Sequence, residues 1–305
     1  MDRVDQLYRD AVDSDLTPQE LRLLVAIDRM GSFTAAGAAV GLSQSAVSHA
    51  VRTCETKVGT VLFERGRTGA RATPAGVRVL VHARQILRQL DLLRREARDA
   101  AAGTVTGPLR IAAFRSAAAH LLPPALERLT KRYPGLSPQV QIVPELGRGT
   151  AGEVADGHAD LAIATLAEDA TAPAGLLADE LMVEPYLFVS PAGHRSPRQL
   201  PLIDWAENCS SYARAWWARQ DWLPAATVTV ADDGVALSMV AQGIGMAILP
   251  RLTLTTQPAR VTVTPVDDQP PTRRLVHVTT AGSRRSAAVR ELIRELRTAA
   301  APAAR

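Results

Sequence analysis

The sequence predicts an α/β protein that opens with an all-α winged helix-turn-helix, continues through a long linker helix and ends in a two-subdomain α/β unit. Three observations carry this. Residues 17–57 hold three short amphipathic segments, each begun by a hydroxyl residue and separated by glycine. Residues 77–102 run without Gly or Pro. From Gly107 onward, apolar runs of strand length alternate with helical segments.

The first helix begins at Thr17-Pro18-Gln19-Glu20, with Thr as cap, Pro in the first turn and Glu placed to close a capping box. Leu21, Leu24, Val25 and Ile27 give it an apolar face up to Gly31. Ser32 caps a shorter helix through Ala39, Gly41 makes a tight turn, and Ser43 caps a third helix from Gln44 to about Lys57. Two short helices joined by a glycine-containing turn form a helix-turn-helix. On the third helix, Val47, Val51, Cys54 and Val58 make one apolar stripe. Gln44, Ser45, Ser48, His49 and Arg52 lie away from it; all are polar and none is acidic. Such a face suits base edges in a major groove, where Gln pairs with adenine and Arg with guanine. An ordinary solvated face would show the same spacing.

Glu64-Arg65-Gly66-Arg67-Thr68-Gly69-Ala70-Arg71 reads as a cationic hairpin, a wing whose arginines reach phosphate or the minor groove. Thr73-Pro74 then caps the long helix, about 40 Å at ~1.5 Å per residue. Leu80, Ala83, Leu87, Leu90, Leu93 and Ala97 line one side of it, and a second copy of the chain is expected to bury them.

Charge follows the same division. Residues 43–88 hold eight basic and two acidic side chains, whereas residues 107–272 hold 12 basic and 17 acidic. Clustered arginine beside a mildly acidic centre suggests a phosphate-binding part and a separate second part. No apolar run approaches the ~20 residues of a membrane span, and the N-terminal 15 residues carry five Asp and no apolar core, unlike a signal peptide. A cytoplasmic location is the expectation. Cys54 and Cys209 are the only cysteines, too few for a disulfide scaffold or a Cys-x-x-Cys metal site. The six histidines are scattered, and no Gly-x-Ser-x-Gly, His-Glu-x-x-His or Gly-Lys-Ser/Thr motif occurs. No enzyme activity, cofactor or metal is expected.

After a break at Gly103 and Gly107-Pro108, Leu109–Ala113 reads as a buried strand, Ala117–Arg132 as a helix and Val140–Val143 as a strand. Thr150–Asp156 is then a short helix and Asp160–Ile163 a strand, a pattern of parallel strands with right-handed crossovers. A second unit follows: Tyr186–Val189 as a strand, Ser211–Gln220 as a helix and Thr227–Val230 as a strand. Asp232-Asp233 caps a helix to Ala241, and Met246–Leu249 is the next strand. Leu275–Val278 and a helix over Ser286–Thr298 return to the first unit, leaving a cleft between the two.

Several motifs occur in order and at matching spacing. They are Gly31-Ser32-Phe33-Thr34-Ala35-Ala36, Leu42-Ser43-Gln44-Ser45-Ala46-Val47-Ser48, Leu62-Phe63-Glu64-Arg65 and Thr73-Pro74-Ala75-Gly76. Together they resemble the winged helix-turn-helix of LysR-type transcriptional regulators. Leu122-Pro123, Tyr133-Pro134, Asp160–Ile163 and Val240–Pro250 resemble the same family's effector domain, which has a periplasmic-binding-protein-like fold. The resemblance implies a regulator that binds double-stranded promoter DNA, assembles as a homodimer or homotetramer and answers to a small-molecule effector. It implies a DNA-binding domain over 16–74, a linker and dimerisation helix over 75–103 and an effector domain over 107–305. Subdomain I would then take 107–182 and 266–299, and subdomain II 183–265. It places Ser32, Thr34, Ser43, Gln44, Ser45, Ser48, His49, Arg52, Arg65 and Arg67 at the DNA, and Leu80, Leu87, Leu90 and Leu93 in the dimer seam. His49 stands where the family often has Arg, a departure from the pattern that bears on the half-site preference.

For the effector, Arg115 and Ser116 follow the first strand and open a helix, Gly147 and Thr150 open the second, and Asp232 and Asp233 cap a third. Helix N-termini at strand ends suit a polar ligand. The expectation is a small polar effector gripped by Ser116 and Thr150, with the two Asp disfavouring a dianion. Redox control through Cys209, or no ligand at all, is the alternative; peroxide-sensing relatives carry two sensor cysteines where this chain has one.

Overall fold

The structure, a computed structural model, describes residues 15–66, 69–166, 170–207, 212–256 and 259–301. They divide into two compact units, one ending at Arg94 and the other beginning at Arg95.

In the first unit, α1 (Pro18–Met30), α2 (Phe33–Val40) and α3 (Gln44–Val58) are followed by a hairpin of β1 (Phe63–Gly66) and β2 (Gly69–Ala72). Local chemistry sets each boundary. Thr17 closes a capping box with Glu20, and Ser32 and Ser43 accept from Ala35 and Ala46 N–H. Gly31, Gly41 and Gly59 end the three helices in left-handed conformation. Leu24, Ile27, Phe33, Val47, Val51, Cys54 and Leu62 form the core. Two contacts lock the hairpin onto the helices. Glu55 accepts from Leu62 and Phe63 N–H at 2.8 and 3.2 Å. Ala70 N–H donates to Gly31 C=O at 2.8 Å, and a side chain at Gly69 would meet that oxygen at 2.2 Å.

The long helix, α4 (Pro74–Ala102), begins three residues before the glycine-free run because Thr73 Oγ1 accepts from Gly76 N–H at 3.0 Å. Its first turns belong to the winged core: Leu80 is 2% exposed among those side chains. Leu80 is therefore not available to a dimer seam, contrary to the expectation from its spacing. Leu87 and Leu90 are half-buried and Leu93 is 65% exposed.

The second unit holds two sheets joined by one strand. Its elements begin with β3 (Gly107–Ala113), α5 (Leu122–Arg132), β4 (Leu136–Ile142), α6 (Gly149–Ala155), β5 (Leu161–Leu166) and β6 (Leu177–Pro191). Next come β7 (Leu202–Trp205), α7 (Tyr212–Trp217), β8 (Ala226–Val230), α8 (Asp233–Ala241) and β9 (Ala247–Pro250). The chain closes with β10 (Val261–Pro265), β11 (Thr272–Thr279), α9 (Ala281–Arg285) and α10 (Ala287–Ala300). β3 runs parallel to β4 and β5, as the strand-helix alternation predicts, whereas β11 is antiparallel to β5 and to the first half of β6. The second half of β6 pairs antiparallel with β9 and β10. Met246 bridges β9's end to β7, which runs parallel to β8. One apolar core lies between the first sheet and α5 and α10; a separate one around Tyr186, Trp205 and Ile248 fills the second sheet's side.

The helix expected over Ala117–Arg132 is broken. Ala117–Leu121 forms a π-helical turn ahead of α5, where Pro123 and Pro124 supply no N–H to a regular ladder. Residues 177–183, β7 and β10 were absent from the sequence expectations.

Candidate functional site: an open recognition face and a charged cleft

On α3, the apolar stripe is buried, with Val47 and Cys54 at 0%. Gln44, Ser45, His49 and Arg52 are exposed, as are Ser43 and Thr34, and Ser32 is half-buried as the cap of α2. Ser48 is different: it is 9% exposed and its hydroxyl accepts from Gln44 Nε2 at 3.3 Å. Ser48 orients Gln44 from beneath rather than offering its own hydroxyl on the open face. Arg65 lies in β1 opposite Ala70 in register. Arg67 lies outside the described residues.

The effector residues expected at helix starts are largely spent on the protein itself. Ser116 makes no cap bond; it is 3% exposed and accepts from Arg273 Nη2 at 3.1 Å. Thr150 is fully buried, and its hydroxyl meets Glu145 Oε1 and Ile163 C=O. Asp233 is 3% exposed and accepts from Thr253 Oγ1 at 2.5 Å. Asp232 caps α8 through Val235 N–H at 2.9 Å and pairs with Arg115, also at 2.9 Å. A buried polar group must find partners within the fold, and here it finds them close by. Gripping a ligand with Ser116 and Thr150 is therefore corrected.

The cleft itself, of about 320 Å³, is lined from both sheets by other residues. Gly147 is the one predicted effector residue on its wall. The side chains that give it character are Glu145, Arg148, Tyr186, Trp205, Glu207 and Arg273. Glu145 Oε1 accepts from Thr150 N–H at 3.0 Å, and Oε2 accepts from Thr165 Oγ1 at 3.3 Å. Arg148 pairs with Asp156 at 2.7 Å. Arg273 stands directly opposite Glu184 in the β11–β6 register, pairs with it at 2.7 Å and lies over the Phe114 ring at 5.0 Å. Burial pulls the guanidinium's pKa down, but Glu184 and further negative neighbours more than offset it, so Arg273 ends above its ordinary value. Burial pushes the Glu207 carboxyl up to about 7, helped by the charges of Asp233 and Glu145. No sequence motif marks these residues. The weak signals available were an acid, Glu145, just after a predicted strand and one aromatic, Tyr186, at the start of another.

Among the described residues, no three His, Cys, Asp or Glu gather to hold a metal, and no helix is long and apolar enough to cross a membrane. Cys54 is buried, and its thiol is pushed up to about 11, first by burial and then by Glu20, which suppresses the thiolate. Cys209 lies outside the described residues.

Residues 18–77 match the bacterial regulatory helix-turn-helix protein of the lysR family, and residues 102–301 match the LysR substrate binding domain. The chain is 36% identical over 249 residues to a probable HTH-type transcriptional regulator LrrA of Synechococcus elongatus, covering 79% of this chain and 83% of that protein. It is 30% identical over 296 residues to a probable hydrogen peroxide-inducible genes activator of Streptomyces viridosporus, covering 92% and 93%. A full-length OxyR variant of Pseudomonas aeruginosa has the same fold, with a TM-score of 0.71, 22% identity and coverage of 93% and 95%. A capped, winged helix-turn-helix followed by two sheets sharing one strand, matched along both parts, places the chain in the LysR family of DNA-binding transcriptional regulators.

Proposed function

We propose that this regulator is controlled by a small molecule bound in the cleft between its two sheets. Residues 16–74 would hold promoter DNA, with Gln44, Ser45, His49 and Arg52 on the bases and Thr34, Arg65 and Arg67 on the backbone. Residues 75–103 would pair with a second copy, and residues 107–305 would take the effector, with subdomains 107–182 plus 266–299 and 183–265. The chain would carry out no reaction of its own. The observation that carries this reading is the cleft: about 320 Å³, lined from both sheets by charged and aromatic side chains, the size and composition of a small-ligand site. Closing or opening it would shift the balance between two states of the assembly.

The pairing surface is sharper than the spacing of leucines suggested. Ile86, Leu90, Leu93 and Ala97 follow steps of four, three and four residues, a heptad seam. Ile86 is 48% and Leu93 65% exposed, whereas Leu80 and Leu87 lie roughly a quarter turn away.

A second reading, redox control through Cys209, is favoured by the relative named as a probable hydrogen peroxide-inducible genes activator. The buried Cys54 thiol offers no ready partner for it.

The test uses the DNA upstream of the protein's own coding sequence. Gln44→Ala is expected to cost about 1–3 kcal/mol on that site and little on random DNA. Ala155 is half-buried on the cleft wall; Ala155→Phe is expected to fix a promoter reporter at one level. A reporter that still varies like wild type would remove the cleft from control.

A further inference from the structure

We infer that the second unit holds a further ligand site: a cavity of about 640 Å³ beside α9 and α10 that takes a small anion bearing phosphoryl groups. It shares no lining residue with the cleft. Four arginines line it, Arg284, Arg285, Arg290 and Arg297, with Leu177 and Ile293 on its apolar part. Among the described residues, none of the lining side chains is acidic. The chain gathers the arginines at one joint. Ser286 both ends α9 and begins α10, so Arg284 and Arg285, in the last turn of α9, stand close in sequence to Arg290 at the start of α10. Arg290 Nη1 donates to the Arg285 C=O. Arg290, Ile293 and Arg297, at steps of three and four, share one face of α10.

Basic residues at the end of a helix suit its dipole, which accounts for Arg284 and Arg285 without a ligand. Arg290 is different. A cation at a helix start faces the positive end of the dipole, and the first turn of α10 has no acid and no side-chain cap bond from Ser286. Nor do neighbouring acids neutralise the group. Asp179 pairs with Arg284 at 2.8 Å, lies 3.9 Å from Arg297 and is shared with the buried His277 at 3.3 Å. Glu291 and Glu295, the acids of α10, pair with Arg294 at 2.5 Å and Arg128 at 2.7 Å. Among the described residues, Arg285 and Arg290 have no acid within ion-pair distance. Four guanidiniums thus stand against one carboxylate. Each guanidinium offers paired N–H groups that fit phosphate. A phosphoryl group, with three oxygens and about two negative charges, engages several arginines at once; a carboxylate, with two oxygens and one charge, satisfies fewer. Leu177 and Ile293 give the carbon part of an ester a surface to pack on.

The experiment uses the full-length protein at fixed ionic strength. Inorganic phosphate, pyrophosphate, ribose 5-phosphate and citrate are the probes, in titration calorimetry and thermal unfolding. Pyrophosphate and ribose 5-phosphate are expected to bind and to raise the melting temperature by a few degrees at saturation. Arg285 and Arg290 are exposed, so Arg285→Gln with Arg290→Gln keeps the fold, as far-UV circular dichroism checks. That double variant is expected to bind both probes roughly tenfold more weakly or worse. Arg65→Gln, in the wing, and Ala155→Phe, in the cleft, are expected to bind them like wild type. Loss of binding in either of these two would move the phosphate to the DNA face or to the cleft and overturn the inference. So would phosphates that bind the double variant as tightly as wild type, citrate that binds as tightly as pyrophosphate, or no response to any phosphate at about 10 mM. A double variant that binds promoter DNA with a shallower salt dependence would assign the arginines to the DNA backbone and overturn it too. Ribose 5-phosphate binding more tightly than inorganic phosphate would identify an ester as the ligand, and equal affinities would identify free phosphate.

Discussion

The outer face of α3 and the wall of the sensor cleft are both polar, yet their side chains are in opposite states. Gln44, Ser45, His49 and Arg52 project from one helix into solvent; the base edges they would meet come from outside the protein. On the cleft wall Arg273 is buried and bonded to Glu184 and Ser116 behind it, and the buried Asp233, which acts on the lining Glu207, is bonded to Thr253. A solvated polar group can wait for its partner at little cost, whereas a buried one must be satisfied by the fold before any ligand arrives. The recognition face is thus a local property of one helix. The cleft is a property of strands that meet from far apart in sequence.

α4 holds the same contrast within one helix. Leu80, in its first turns, is sealed in the winged core, and Leu93, farther along, is 65% exposed. Three experiments probe the contrast, the largest effect first. Leu90→Glu with Leu93→Glu would remove four apolar side chains from a paired seam, at about 1.5–3 kcal/mol each. Light scattering is expected to show monomers, and specific promoter binding to fall with them; an unchanged oligomer would refute the seam. Glu184→Gln breaks a buried ion pair from the acidic side and leaves Arg273 uncompensated at 8% exposure. A loss of about 3–5 kcal/mol in urea unfolding is expected, and a loss under about 1 kcal/mol would mean that Ser116 and Phe114 suffice to hold the guanidinium.

The smallest effect concerns acid. His277, on β11, is fully buried and faces Asp179, Arg284 and Arg297. Burial lowers its pKa from 6.5 to about 4; Asp179 opposes this, and Arg297 and Arg284 add to it. The unfolded chain therefore takes up the proton first. Stability is fully present above pH 6.5 and is lost as pH falls from there toward 4, on the order of 3 kcal/mol. Plotted against pH, the melting temperature should flatten over that window in His277→Gln. A slope equal to wild type would assign the acid sensitivity to other groups.

The winged unit was legible almost residue by residue, because its signals act over three or four positions. Thr17 with Glu20, Ser32, Ser43 and Thr73 set helix starts, and Gly31, Gly41 and Gly59 set their ends, all within hydrogen-bond reach along the chain. Ser48 shows the limit even here. Helical spacing placed it off the apolar stripe, but tertiary packing left it 9% exposed beneath Gln44. In the second unit, the apolar runs of β3, β5 and β9 announced themselves. The first half of β6 did not, since Asp179, Glu180, Glu184 and Pro185 interrupt the strand, and only Tyr186–Val189 was legible. Its strand character comes from pairing with β11 on one stretch and with β9 and β10 on the next.

The helix caps, the acid-free face of α3, the cationic wing and the alternation of strands and helices all follow from the order of residues alone. Each rests on periodicity or on bonds between near neighbours. The make-up of the cleft does not, and had to come from long-range packing. Glu145, Trp205 with Glu207, and Arg273 come from three separate stretches of chain, and their electrostatics arise from mutual burial. The same burial took Ser116, Thr150 and Asp233 out of the reach of a ligand, because inside a fold the nearest partner is another group of the protein itself.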